Sequence, residues 1–118
     1  MKYAMLMYAS ETETPQYSPE DYQASAREWS AFETEVKAAG VYDSFNGLTA
    51  VSDATSLRVR DGKSLITDGP FAETHEQLGG YYIFNCKDLD DALAWAAKIP
   101  WAKYGTIEVR PLNQWSQK

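Results

Sequence analysis

The sequence has few of the residues that build disulfides, metal centres and nucleic-acid interfaces. Its 118 residues include one cysteine, one histidine, and 11 lysines and arginines against 17 acidic residues, for a net charge of −6. A single cysteine, Cys86, excludes an internal disulfide, and no Cys/His spacing is typical of zinc, so we expect no metal and no cofactor. The cations are scattered rather than clustered, which disfavours nucleic-acid binding.

Long apolar runs are also absent. No segment approaches the ~18 consecutive apolar residues that a membrane-spanning helix requires. The apolar run at the start of the chain is too short for a secretory signal, so we expect a cytoplasmic protein with no membrane segment. The length predicts a single domain over residues 1–118, and an apolar content of 44% is typical of a folded core, in which we place the Cys86 thiol.

Hydrophobic periodicity predicts six strands and two helices. An apolar run at residues 3–8 predicts the first strand, and a polar stretch, SETETPQY, follows it. Ser18 as N-cap and Pro19 at the first helical position mark a helix that Gly40 ends. The remaining strands are predicted at 41–48, 56–60, 63–67, 80–86 and 106–110, and the second helix between Asp88 and Pro100.

The spacing also predicts which side chains face the core. Leu57 and Val59 alternate with polar residues and should face inward, in a strand that the two-residue turn Asp61-Gly62 joins to the next. One stripe of the first helix should be apolar. Its members are Tyr22, Trp29, Phe32, Val36 and Ala39.

This order of elements is typical of an α+β, ferredoxin-like βαββαβ fold with an inserted β-hairpin and two helices on one sheet face. The strands at 3–8 and 80–86 are apolar on both sides, whereas a solvated sheet face should alternate to polar residues. The two helices can cover one face only. We therefore expect a symmetric partner, a homodimer whose sheets pack face to face.

The segment TDGPFAETHEQLGG, residues 67–80, holds the only histidine and four ionisable side chains. An ordinary hairpin connection takes about two to five residues, whereas this one runs from 68 to 78. Long loops with ionisable groups beside a rigid sheet often carry function. Gly79-Gly80 at its end is typical of a bulge or of a close approach between backbones.

Each residue of the segment has a structural and a functional interpretation. Asp68 either accepts hydrogen bonds from its own turn, with Pro70 fixing the geometry, or acts as an acid/base. Phe71 either anchors the loop in the core or lines a pocket. Glu73 and His75 are either solvated or form a carboxylate–imidazole pair for general acid/base chemistry.

Two residues of the first helix are further candidates. Arg27 can meet an anionic ligand and Trp29 can line a binding site, although a solvated helix charge and a core ring are the structural alternatives.

The run TDGPFAETHEQLGGYYIF, followed by LDDALAWAAKIP and GTIEVRPL, resembles the YCII-related family, in its subgroup named for the Asp-Gly-Pro-Phe motif. The resemblance extends upstream through SLRVRDGKSLI and KYAMLMY. It carries the motif onto Asp68, Gly69, Pro70 and Phe71, followed by Glu73. At position 75 this subgroup usually has a lysine, so His75 departs from its pattern.

The resemblance implies a small bacterial protein that dimerises into an α/β barrel, with a pocket at the sheet where an Asp, and often a His, serves as acid/base. Related barrel proteins include isomerases and dehalogenating enzymes that act on small cyclic compounds, and some members occur beside sigma factors. On the enzyme interpretation, the protein is a lyase, isomerase or dehalogenase in which Asp68 is the catalytic acid/base and Glu73 or His75 assists it. Pro70 and Phe71 would contact a small cyclic or aromatic ligand. The alternative is a non-catalytic dimeric sensor or protein-interaction module.

Overall fold

The residues that the structure describes form six strands and two α-helices. This computed structural model covers residues 1–13 and 17–117, except the side chain of residue 117, so part of the predicted polar stretch, 14–16, lies outside the described residues. The strands are β1 (Lys2–Ala9), β2 (Tyr42–Gly47), β3 (Thr55–Arg60), β4 (Lys63–Asp68), β5 (Gln77–Asn85) and β6 (Thr106–Pro111). The helices are α1 (Pro19–Ala38) and α2 (Leu89–Ala96), with short 3₁₀ helices at Val51–Asp53, Pro100–Lys103 and Gln114–Gln117.

Four of the strands form the main sheet, in the order β2-β5-β1-β6 with every neighbouring pair antiparallel. The strands β3 and β4 pair only with each other, as a separate two-stranded sheet that we call the ribbon (residues 55–68). The prediction of a mixed α+β fold is confirmed, and the strand order is consistent with a ferredoxin-like fold. None of the described helices is long and apolar enough to cross a membrane.

Local signals in the sequence fix the helix ends. The Ser18 hydroxyl accepts a hydrogen bond from the Asp21 N–H at 3.1 Å, and the Asp21 carboxylate accepts one from the Ser18 N–H at 3.0 Å, a complete capping box. Gly40 follows α1 at a φ of +73°, which favours glycine. The predicted cap of α2 is confirmed too, because Asp88 accepts from the Asp91 N–H at 2.9 Å.

The core lies between one face of the main sheet and both helices. Tyr82 is at its centre, fully buried, with its ring against those of Phe32, Phe45 and Phe84. The predicted burial of Cys86 is confirmed, and burial raises the pKa of its thiol. Other buried members of the core are Tyr3, Met5, Met7, Val36, Val41, Ala92, Ala96 and Ile99.

The predicted apolar stripe of α1 is only partly correct. Phe32 and Val36 are buried and Trp29 is half-buried, but Tyr22 and Ala39 are exposed. The ring of Tyr22 packs edge-on against Tyr17 at the start of the helix, with centroids 5.4 Å apart, rather than against the sheet. Helical spacing identifies a stripe, but it does not determine how much of the stripe the sheet reaches.

The ribbon contradicts one prediction. Asp61 and Gly62 form the expected turn, with φ values of 51° and 74°, as a two-residue hairpin requires. Leu57 and Val59, however, are 61% and 57% exposed and do not face inward. Alternation correctly places them on the same side of the strand, but the ribbon lies outside the main sheet, so that side does not face the core.

The second face of the main sheet, opposite the helices, is also apolar. Leu6 pairs with Tyr81 there, and Ile83 lies beside them; all three side chains are half-buried. We call this surface the open sheet face.

Candidate ligand cleft

A cleft of about 910 Å³ lies at one end of the main sheet, between the segment 48–54 and the loop 70–76. Its volume is within the range of small-molecule sites, and its surface is largely apolar. The apolar side chains that define it are Tyr8, Leu48, Val51, Pro70, Phe71 and Leu78.

The first wall of the cleft, the segment 48–54, is held in place by two hydrogen bonds, one to β5 and one to the segment that follows β1. The Leu48 N–H donates to the Gly79 carbonyl at 2.9 Å. The Val51 N–H, which begins the 3₁₀ helix, donates to the Glu11 carboxylate at 3.2 Å. Satisfied backbone groups of this kind let an irregular segment keep one conformation.

The second wall begins at Gly69, where the chain leaves the ribbon. Gly69 has a φ of +99°, which side chains other than hydrogen strongly disfavour. Its N–H donates to the Ala54 carbonyl at 2.6 Å, and its carbonyl accepts from the Ser56 hydroxyl at 2.8 Å. Farther along, the side-chain amide of Gln77 donates a hydrogen bond to the Thr74 carbonyl at 2.5 Å. The one positive φ of the segment 67–80 is at Gly69.

Behind the cleft, Trp101 holds the strand ends together. Its indole N–H donates to the carbonyl of Tyr8 at 2.8 Å. A Cβ on Gly79 would lie 2.6 Å from the Trp101 ring, so only glycine fits there. The pairing of β1 with β5 shifts register between Met7 and Tyr8, opposite Gly79. The predicted bulge is therefore present at Gly79. The predicted close approach of backbones is present at Gly80, where a Cβ would lie 3.0 Å from the Asn46 carbonyl oxygen.

The ionisable groups of the cleft are acidic. Asp53, Glu73 and Glu76 line it, and none of its described lining residues is lysine or arginine. The Glu76 carboxylate is oriented by the Thr106 hydroxyl, which donates to it at 2.8 Å. Such a site attracts cations and repels anions. Among the described residues, no group of three or more His, Cys, Asp or Glu side chains is arranged to hold a metal ion.

Comparison with known proteins identifies the family of this chain. The model of the YCII-related domain matches residues 1–116. The chain belongs to the YCII-related family. This YCII-related protein is also similar to an uncharacterised protein of Rhizobium meliloti (strain 1021), with 39% identity over 114 residues, which cover 95% of this chain and 92% of that protein.

In this YCII-related protein, the candidate site residues of the loop fall into two groups. Pro70, Phe71 and Glu73 line the cleft. Asp68, at the end of β4, is exposed and is not among the described lining residues. His75 is 77% exposed, and its Nε2 lies 3.6 Å from the Glu13 carboxylate. Glu73 and Glu76, which flank His75 in the sequence, are not its ion-pair partners.

The interpretation of Phe71 as a core anchor is wrong. Its ring is 78% exposed and forms part of the cleft wall. The reason is local: the turn at Gly69 directs the chain over the segment 48–54 rather than into the sheet core.

The two candidates on α1 lie apart from the cleft. Trp29 stacks on Tyr82 with centroids 6.5 Å apart and an interplanar angle of 21°, and it lines a smaller pocket against Tyr104. Arg27 is exposed on the same helix. Neither lines the ligand cleft.

The sequence interpretation missed the first wall of the cleft. Seven residues, 48–54, separate β2 from β3, more than the ordinary hairpin connection of about two to five residues. The same length criterion that singled out the loop after β4 could have identified this segment.

Proposed function

We propose that this YCII-related protein binds a small cyclic or aromatic molecule, neutral or cationic, in the cleft. One observation carries the proposal: the cleft joins apolar side chains, including the rings of Tyr8 and Phe71, with carboxylates as its only described charged groups. Aromatic walls favour a ring, and they stabilise a cationic substituent further through cation–π attraction.

We further propose that bound ligand undergoes acid/base chemistry of the lyase, isomerase or dehalogenase type, without an organic cofactor. Glu73 is the best-placed proton acceptor because its carboxylate lines the cleft, and Glu76 is held by Thr106 beside it. Asp68 and His75, on the same loop outside the lining, are the second candidates for this role.

Three matched probes test the binding proposal: benzyl alcohol, benzylamine and benzoate share a ring and differ in charge. We expect ligand-observed NMR to detect binding of the first two, with benzoate at least tenfold weaker because of the cleft carboxylates. Phe71→Ala should weaken the first two about tenfold, or about 1.4 kcal/mol. Glu73→Gln should weaken the binding of benzylamine and leave the binding of benzyl alcohol unchanged. Arg27→Ala, on α1, is the control that should change nothing.

The same titrations distinguish a ligand-binding enzyme from a non-catalytic sensor or protein-interaction module. If Asp68→Asn lowers probe binding while leaving the urea midpoint unchanged, Asp68 belongs to the site. If it lowers stability alone, Asp68 supports the loop only. Preferential binding of benzoate, or binding of no probe at all, would contradict the ligand proposal and favour a non-catalytic sensor or protein-interaction module.

We also propose that the protein belongs to the subgroup named for the Asp-Gly-Pro-Phe motif, with the ribbon as a hairpin inserted into the ferredoxin-like fold. In this proposal two copies pair through the open sheet face as a dimeric α/β barrel. The support is the half-exposed cluster of Leu6, Tyr81 and Ile83, which a second sheet would bury.

A further inference from the structure

The ribbon exposes an apolar face of its own. Leu57 and Ile66 lie opposite each other in its register, and Val59 is on the same side, all three highly exposed, with Ile66 at 69%. An isolated two-stranded hairpin is only marginally stable in water and needs a surface to pack on. We call these three side chains the apolar ribbon face.

The molecule is more extended than a compact domain of its length. The radius of gyration is 16.7 Å, and the overall dimensions are 49 × 43 × 18 Å. A compact domain of this length has a radius of gyration of about 13.5 Å. The residues of the ribbon are missing from the described lining of the cleft, although Ala54 and Pro70, on either side of it, line that cleft. The ribbon therefore leads away from the cleft of its own chain.

The cleft in turn is too open to enclose a ligand. Phe71 is 78% exposed and Leu48 is 49% exposed, although both line it. Small-molecule sites typically bury about 70–90% of the surface of the ligand. This cleft thus needs an apolar cover, and the apolar ribbon face needs an apolar surface.

Charge identifies the chain that supplies the cover. The ribbon carries Arg58, Arg60 and Lys63 against Asp61 and Asp68, a local charge of +1, which leaves −7 on the rest of a chain whose total is −6. The ribbon of one copy is therefore attracted to the acidic body of another, and three carboxylates line the cleft. The cations Arg58, Arg60 and Lys63 lie on the side of the ribbon opposite the apolar ribbon face. The apolar side chains therefore make the contact, and the cations attract the carboxylates across the thickness of the ribbon.

We infer that each copy of the protein lays its apolar ribbon face over the cleft of a second copy, so that Leu57 and Ile66 of one chain close the site of the other. The exchange is reciprocal, so that one closed two-fold dimer buries the apolar ribbon face of both copies and covers both clefts. This inference rests on the proposed homodimer and on the proposed ligand cleft.

Cross-linking between two different variants tests the arrangement directly. Ile66→Cys and Phe71→Cys chains, distinguished by a mass tag, are mixed and treated with a short bismaleimide. We expect a cross-linked heterodimer in high yield. Leu65→Cys is the matched control, because Leu65 is next to Ile66 on the opposite side of the ribbon and should cross-link at least tenfold less. The native Cys86 is buried and should not compete.

Sedimentation of variants with aspartate at position 65 or 66 gives an independent measurement, the Kd of the dimer. Ile66→Asp should raise the Kd of the dimer at least tenfold, whereas Leu65→Asp should change it less than threefold. Equal cross-linking at positions 65 and 66, or an unchanged Kd for Ile66→Asp, would overturn the inference.

The failure of the underlying proposals would be recognisable. If the wild type is a dimer that Leu6→Asp dissociates and Ile66→Asp does not, the sheet-face dimer stands and the ribbon inference is wrong. A wild type that sediments as a monomer of about 13 kDa at micromolar concentration would exclude both. Probe binding by the benzyl compounds would still be measured separately on that monomer.

Discussion

Replacing Tyr82 by alanine should lower the free energy of unfolding by about 3–5 kcal/mol, the range for removing a large buried ring. Tyr82 is fully buried at the centre of the core, and five aromatic rings surround it. These are Trp29, Phe32, Tyr42, Phe45 and Phe84. Because α1 and the strands β1, β2 and β5 meet around this ring, the cavity has little freedom to collapse. Urea unfolding followed by circular dichroism measures the effect.

The conservative variant Tyr82→Phe isolates the hydroxyl group. This hydroxyl donates a hydrogen bond to the Glu33 carboxylate at 3.1 Å. Its removal should cost about 1.5 kcal/mol, as for a hydrogen bond to a charged acceptor. A cost below about 1 kcal/mol for the alanine variant would contradict the central role of the ring.

The hydroxyl also makes stability depend on pH. Burial, and then the nearby Glu33 carboxylate, raise the pKa of Tyr82 well above its ordinary value of 10.0. The folded protein therefore keeps a proton that the unfolded chain releases, so this contribution is complete below pH 10 and is lost as the pH rises above it. At about pH 11 the advantage of the wild type over Tyr82→Phe should be smaller by about 1.4 kcal/mol than at about pH 8.

Gly105→Ala should destabilise the protein by about 2–4 kcal/mol, through overpacking and the loss of one hydrogen bond. A Cβ at this position would collide with the Tyr8 carbonyl oxygen and the Trp101 indole nitrogen, the two atoms that are hydrogen-bonded to each other. Neither the β1 backbone nor a half-buried indole ring can move aside without disturbing the main sheet. The urea midpoint measures this change.

Gly47→Ala is the matched control for Gly105→Ala. Gly47 is the last residue of β2 in the main sheet, and the atoms nearest to its Cβ position lie at an ordinary 3.8 Å, in the ring of Phe45. We expect its stability to stay within about 0.5 kcal/mol of the wild type. Equal losses at both positions would mean that the backbone preference of glycine, and not the close approach to Trp101, determines the result.

The features that the sequence predicted correctly depend on neighbouring residues. The capping box at Ser18, the Asp88 cap and the Asp61-Gly62 turn each require residues only a few positions apart.

The wrong predictions concern features that depend on contacts between residues far apart in the sequence. Leu57 and Val59 alternate as a half-buried strand does, but the alternation contains no information about which surface lies opposite. His75 pairs with Glu13, from a segment 62 positions earlier, and not with the glutamates beside it. The cleft likewise forms only when the segments after β2 and β4 meet, so its lining could be anticipated in part, at Pro70, Phe71 and Glu73.

The pairing of β1 has a consequence for the synthesis of the protein on the ribosome. This strand is synthesised before the other strands of the main sheet and lies in its interior, yet both of its partners, β5 and β6, lie far downstream, at residues 77–85 and 106–111. Its apolar side chains therefore stay unpaired until about residue 85 has emerged, a delay of several seconds at about 5–20 residues per second. The nascent chain carries an aggregation-prone unpaired strand during that time, and the main sheet is complete only when β6 has also emerged.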